Sequence, residues 1–230
     1  MFKNKYKFLN IVLIIVSLAL LIVSYISFNE KPKQFIVVLD HSKLDDGVEE
    51  SIDLQIVKSI KNELSNDSKY KVFILNEENK TMYVSERLDL ISQIKPDVVL
   101  SIQNNLNNEE NILGFEIYCM KNEFNEESIR LANSLKEALV SNGITPNEQG
   151  IFYYDLPLVK DNIHRVSVVS VDGEVSEEKT LKILEESSVN TVVISKSYVS
   201  SGADINVELL KNISKAYHDA LNIYFTNHSK

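Results

Sequence analysis

The chain has 230 residues, 44% of them hydrophobic, with 24 basic and 33 acidic side chains, a net charge of −9, four His and one Cys. Phe8 to Phe28 is a run of 21 residues without a charge; Lys3, Lys5 and Lys7 precede it and all 33 acids follow it. Setting those three lysines aside leaves 21 basic residues, so the 202 residues after the run carry a net charge of −12. Such an acidic domain excludes nucleic acid as the expected partner, because phosphate affinity needs a basic face, and the apolar run argues against a soluble cytoplasmic enzyme.

At 1.5 Å per residue, a helix over residues 8–28 is long enough to cross about 30 Å of hydrocarbon. The lysines before it and the acids after it orient it by the positive-inside rule. Residues 1–7 are therefore expected to be a cytoplasmic basic stub, 8–28 a transmembrane anchor, 29–34 a polar linker and 35–226 one extracytoplasmic domain. The competing reading is a cleaved signal peptide, whose apolar region is about 7–15 residues with a small-residue cleavage site. This run is longer and ends Tyr25-Ile26-Ser27-Phe28-Asn29-Glu30, without an A-x-A pattern, so the uncleaved anchor is the expectation. The lone Cys119 rules out an internal disulfide framework and reads as a buried free thiol at the end of a strand.

After the linker, Phe35 to Leu39 is solidly apolar, as a strand buried on both faces reads, and ends at Asp40. Ile52, Ile56, Val57, Ile60 and Leu64 repeat at helical spacing. Val72 to Leu75 is a second strand. Ser85 is the expected N-cap of a helix through Leu88, Ile91 and Ile94, stopped by Pro96. Val98 to Ile102 is a third strand and Gly114 to Cys119 a fourth. Leu131, Leu135, Ala138 and Leu139 mark another helix, with Gly143 as its C-cap. Residues 144–165 lack periodicity and read as a long surface excursion, pinned to the core by Phe152, Tyr153 and Tyr154. Val166 to Val171 and Thr191 to Ser195 complete the strands, and Ile205, Leu209, Leu210, Ile213, Tyr217, Leu221 and Tyr224 stripe a closing helix. The alternation predicts a single α/β domain, with one mainly parallel or mixed sheet flanked by helices on both faces.

Little in the chain is a recognisable catalytic motif. No phosphate-binding glycine loop, G-x-S-x-G elbow, H-E-x-x-H pair or cysteine pair occurs. His218 in the closing helix, His228 in the tail and His164 beside Arg165 read as surface residues. His41 follows the first strand directly, at the sheet edge where open α/β folds bind ligands. Residue type alone makes Asp40-His41-Ser42 an ordinary turn, with Asp40 capping backbone amides. The polar run Asn104, Asn105, Asn107, Asn108, Glu109 and Glu110 reads as a solvated loop at the same edge.

The order of F-I-V-V-L-D-H-S (Phe35 to Ser42), V-E-E-S-I-D-L (Val48 to Leu54), V-S-E-R-L-D-L-I (Val84 to Ile91), L-S-I-Q-N-N (Leu100 to Asn105) and V-V-I-S-K-S-Y-V-S-S (Val192 to Ser201) resembles a known family. It is similar to the zinc-dependent N-acetylmuramoyl-L-alanine amidases of bacterial cell-wall metabolism, with their AmiC- and CwlD-like catalytic domain. Their motifs are a strand ending D-P-G-H-G-G, an acidic residue opening the first helix, an S-I-H-x-N strand end and a late strand ending E-x-G-F-x-S-N. Such an enzyme holds Zn²⁺ with two His and one Glu, leaves a position for water, and uses a second Glu as general base.

Carried over by resemblance, His41 stands for the first metal ligand, without the flanking P-G and G-G, and Glu49 for the acidic ligand, with Glu50 beside it. Gln103 occupies the second His position, where a neutral amide is a poor zinc ligand. Ser195 occupies the general-base Glu position and is followed by Lys196. Gln103, Asn105, Ser195 and Lys196 become the expected groove residues. The resemblance implies a catalytically inactive domain with no metal cofactor, binding peptidoglycan or a cell-wall or sporulation protein. The alternative is an active zinc amidase with a rearranged site, rescued by His164 as ligand and Glu116 or Glu185 as base.

Overall fold

A computed structural model describes residues 15–21, 34–41, 52–78, 80, 82–104, 114–120, 126–155, 167–170, 175–177, 181–197 and 205–228. The chain divides between Lys33 and Gln34 into two units. In the first, residues 15–21 are helical (α1), and Ile15, Val16, Leu18, Leu20 and Leu21 are all half or more exposed. Among the described residues no helix is long and apolar enough to cross a membrane.

The second unit runs β1 (Phe35–His41), α2 (Ile52–Ser65), β2 (Tyr70–Ile74), α3 (Val84–Ile94), β3 (Val98–Asn104), β4 (Gly114–Met120), α4 (Glu126–Ser141), β5 (Pro146–Asp155), β6 (Ser167–Ser170), β7 (Val175–Glu177), α5 (Lys182–Glu186), β8 (Thr191–Ser197) and α6 (Val207–His228). The strands form one mixed sheet in the order β2-β1-β3-β8-β4-β5-β6-β7. Pairs β1–β2, β1–β3, β3–β8 and β4–β5 are parallel; β4–β8, β5–β6 and β6–β7 are antiparallel.

The apolar runs explain this arrangement. Val37, Leu39, Leu100, Ile102, Val192, Ile194 and Ile117 point to one face and are covered by the apolar stripes of α2, α4 and α6. Val38, Val99, Val193, Tyr118 and Phe152 point to the other face, under α3 and α5. A strand with helices on both sides has no solvated face, which is why its sequence shows no polar alternation. From β1 the chain moves one way along the sheet through α2 to β2, then back past β1 through α3 to β3. Right-handed crossovers in opposite directions put their helices on opposite faces. The carboxyl ends of β1 and β3 are thus a topological switch point, where open α/β sheets bind ligands.

Four local features differ from the expectations. Asp40 and His41 are not a turn but the last two residues of β1, because β1 stays paired with β3 as far as His41↔Ile102. Helix α3 starts one residue before Ser85: its cap is Tyr83, whose N–H donates to Glu86 Oε2 at 2.8 Å. Residues 146–155 are a strand rather than a loop. Their pattern is hidden by a bulge, in which Phe115 and Ile117 of β4 pair with Pro146 and Ile151 of β5. Asn147 to Gly150 are thereby set opposite the single residue Glu116, and Gly150 takes φ +75° to close the excursion. Finally, His218 is half-buried rather than a free surface residue, with Nε2 3.2 Å from Asp67 Oδ2.

Other expectations hold. Phe152 stacks on Tyr118, ring centroids 5.3 Å apart. Gly143, at φ +81°, follows α4, and its N–H bonds to Val140 O at 3.0 Å. Cys119 is a buried free thiol.

Candidate functional site

Register places the candidate residues. Gln103 of β3 pairs with Ser195 of β8, and Ser195 pairs with Glu116 of β4. Residues directly opposite on neighbouring strands share a face, so Gln103, Ser195 and Glu116 form one row on the α3 side. Ser195 is 1% and Glu116 3% exposed, whereas Gln103 is half-buried. The row below is Asp40 and Ser101, paired in register, followed by Val193 and Tyr118.

Hydrogen bonds lock these rows. Arg87 Nη1 donates to both oxygens of Asp40 at 2.9 and 3.1 Å, and Ser101 Oγ donates to Asp40 Oδ2 at 2.6 Å. Gln103 Nε2 donates to Ser101 Oγ at 3.0 Å. The Asp40 side chain is 0% exposed and that of Arg87 8%, so this is a buried ion pair, which persists only because hydrogen bonds satisfy the carboxylate. Across the row, Tyr118 OH donates to Glu116 Oε2 and Asn147 Nδ2 to Glu116 Oε1, each at 2.6 Å. The bulge in β5 delivers that asparagine.

His41 lies apart from this set. It pairs with Ile102, one residue out of step with Gln103, so its side chain points to the opposite face. It is fully buried, with Nε2 2.9 Å from Asn76 O, while Nδ1 has no hydrogen-bond partner among the described residues. The structure therefore brings together Gln103 and Ser195, adds Glu116, and separates His41 from them. Lys196 follows on β8, in register with Asn104 and Phe115. Glu185 lies on α5. Asn104, expected in a loop, is the last residue of β3; Glu49, Glu50, Asn105, Asn107, Asn108, Glu109, Glu110 and His164 lie outside the described residues.

Asp40, Arg87 and Ser101 were not singled out from sequence as site residues. Arg87 carried the signal: it stands one position before Leu88 and four before Ile91, on the apolar stripe of α3, so its guanidinium had to meet a buried anion.

This is an open-sheet α/β fold whose polar side chains gather at the carboxyl ends of its central parallel strands, the ligand-binding edge of such sheets. Comparison with known proteins makes this specific. The chain belongs to the N-acetylmuramoyl-L-alanine amidase family, whose profile matches residues 40–221. Among solved structures, it is similar to the catalytic domain of the amidase CwlV from Bacillus (Paenibacillus) polymyxa var. colistinus, with TM-score 0.60 and 16% identity over 84% of this chain and 99% of that one. It is similar also to an N-acetylmuramoyl-L-alanine amidase from Clostridium difficile 630, with TM-score 0.62 and 16% identity over 84% of this chain and 98% of that one. The CwlD amidase of Clostridioides difficile, solved in complex with the GerS lipoprotein, aligns with TM-score 0.59 and 16% identity over 84% of this chain and all of that one. A search of curated protein sequences finds no match.

The family implies zinc, so the donors can be tested for fit. Among the described residues no group of three His, Cys, Asp or Glu side chains could hold a metal ion. At the shared row, Gln103 offers a neutral amide already bonded to Ser101, and Ser195 a hydroxyl. His41 faces the other side of the sheet, with one ring nitrogen engaged by Asn76. Carboxylate, imidazole and thiolate are the donors that hold zinc, and the described row supplies one carboxylate. These residues do not fit the metal.

Proposed function

We propose that this chain is a membrane-anchored, extracytoplasmic amidase-like domain that binds the cell wall or a cell-wall protein without cutting it. The carrying observation is the pairing of Gln103 with Ser195 on one face. The two positions that the family resemblance assigns to a metal-binding His and the general-base Glu are neighbours, as that chemistry requires. They carry instead an amide and a hydroxyl, which can bind a ligand but at neutral pH neither hold zinc nor take a proton. Anchoring is supported by the uncharged run Phe8 to Phe28 and by the apolar side chains that α1 leaves exposed. A protein partner is supported by the CwlD amidase, which is itself solved in complex with a lipoprotein.

The test is metal analysis of the detergent-solubilised full chain together with dye release from labelled peptidoglycan. The expected result is substoichiometric zinc and release at the buffer rate. One zinc per chain with dye release would overturn the inactive reading. A second reading, an active amidase with a rearranged site, is favoured by one observation: Glu116 stands directly across from Ser195, one strand away from where the base is missing. On that reading the wild type releases dye and Glu116→Gln does not.

A further inference from the structure

Helix α4 ends in a cap whose two residues can react with each other. Past Ser141, the Gly143 N–H bonds to Val140 O at 3.0 Å and the Ile144 N–H to Leu139 O at 2.9 Å. These are the paired bonds of a Schellman motif, with Gly143 at φ +81° as its left-handed residue. Ile144 and Leu139 are buried in the same core. The motif favours a glycine there, and the residue before it is Asn142, so 142–143 is the only Asn-Gly pair in the chain. Because the glycine has no side chain, its backbone nitrogen is the least hindered nucleophile that an asparagine amide can meet. Asn142 is half-buried and Gly143 exposed, so water reaches the pair.

The fold holds the two groups apart. The Gly143 nitrogen keeps its proton on Val140 O. The Asn142 side chain is tied at both ends: Lys215 Nζ donates to Oδ1 at 3.1 Å, while Nδ2 donates to Ala138 O at 2.9 Å and to Asp219 Oδ2 at 3.3 Å. An ammonium only donates, so Lys215 fixes which end of the amide is oxygen. The bond to Ala138, four residues earlier, draws the amide back along α4. Lys215 and Asp219 pair with each other at 2.9 Å, and both belong to α6.

We propose that Asn142–Gly143 is a site of spontaneous deamidation, with water as the only co-reactant, that the packing of α4 on α6 keeps closed, and that the modification dismantles the α4 cap. The Gly143 backbone nitrogen attacks Asn142 Cγ. As the N–Cγ bond forms, the Cγ–Nδ2 bond breaks, and Nδ2 leaves as ammonia with the proton that the backbone nitrogen gives up. Water then opens the cyclic imide at either carbonyl, to aspartate or to isoaspartate, and nothing is oxidised or reduced. Either product sets a carboxylate against Ala138 O and Asp219 where an N–H donor stood. Isoaspartate also adds a methylene to the main chain inside the Schellman motif. That lies directly ahead of β5, where Thr145 O accepts the Phe115 N–H at 3.2 Å. The site opens only when the end of α4 frays.

The experiment incubates the full chain in detergent at mildly alkaline pH, native or in urea. After digestion, mass spectrometry follows the peptide spanning 142–143, with its aspartyl and isoaspartyl forms separated by chromatography. In urea, Asn142 is expected to deamidate before any other asparagine, and Gly143→Ala to slow it several-fold. The native wild type lags the unfolded chain by at least roughly tenfold, the factor set by local opening. Asp219→Ala, whose own urea melt shows that the fold persists, shortens that lag about two- to fivefold, the worth of one partly solvated contact. The isoaspartyl chain melts at lower urea than the fresh one by far-UV circular dichroism. Native deamidation at the urea rate, or an unchanged rate in Asp219→Ala, overturns the lock. An unfolded chain that loses another amide first, or a Gly143→Ala chain that reacts as fast, overturns the site. An unchanged melt of the isoaspartyl chain overturns the effect on the cap.

Discussion

Replacing Arg87 by Met keeps the stem that packs under α3 and removes the charge. Asp40 then remains fully buried with the Ser101 hydroxyl as its remaining strong donor, having lost contacts at 2.9 and 3.1 Å to a guanidinium only 8% exposed. Breaking one side of a buried pair costs about 3–5 kcal/mol, mostly the penalty of the stranded ion. That is a large part of the roughly 5–15 kcal/mol that holds a domain together. With a urea slope of about 2 kcal/mol/M, the unfolding midpoint falls by roughly 1.5–2.5 M. Far-UV circular dichroism reads this, since the chain has no Trp. Asp40→Asn on its own is also destabilising, leaving the guanidinium buried opposite a neutral amide. The double variant Asp40→Asn/Arg87→Met costs less than the sum of the two, because neither charge is then stranded. A loss below about 1 kcal/mol for Arg87→Met, the value of a surface pair, would refute the argument that this ion pair organises the sheet edge.

Three smaller predictions follow from other parts of the fold. At Gly114, φ is +141° and an added Cβ would lie 2.8 Å from Asn147 N and 3.0 Å from Thr145 O, so Gly114→Ala strains backbone against backbone and loosens β4 from β5. Gly143→Ala, at φ +81° with nothing within 4 Å, costs only about 1 kcal/mol of left-handed strain, and urea melts of the two should rank in that order. The Asp67 carboxyl is held below its ordinary range by the backbone N–H of Lys69 and, beyond that, by His218. A depressed carboxylate stabilises the fold above its unfolded-state pKa and loses that contribution as pH falls through the folded value. Asp67→Asn should therefore lower stability at neutral pH by no more than about 1 kcal/mol, since the site is partly solvated, and match the wild type in strong acid. Burial pushes the Cys119 thiol up to about 12, so a thiol reagent at neutral pH should label it only when urea unfolds the domain.

The broad architecture was legible because it depends on composition along short windows. Strands β1, β3 and β8 each hold at least three consecutive apolar residues, which only a sheet covered on both faces can bury, and the stripes of α2, α4 and α6 are helical to the eye. Strand β5 was not legible: the four residues Asn147 to Gly150 are pushed out of the ladder, and a bulge erases the two-residue period that marks a strand. The start of α3 was misplaced because a serine is the commoner cap, whereas here the Glu86 carboxylate reaches back to the Tyr83 backbone.

The site divides in the same way. Sequence alone placed Gln103 and Ser195 near the ends of apolar strands, and only the family resemblance sets them at the positions of an imidazole and a carboxylate. Sequence also determined the charge split between a basic stub, an apolar run and an acidic domain. Only the tertiary structure decided who faces whom. Asp40 meets Arg87 47 residues away, and Glu116 meets Ser195 because β4 runs antiparallel to β8. His41, next to Asp40 in the chain, is on the other face because side chains alternate along a strand. Pairing and register are properties of strands brought together across long separations, and no local window of the sequence contains them.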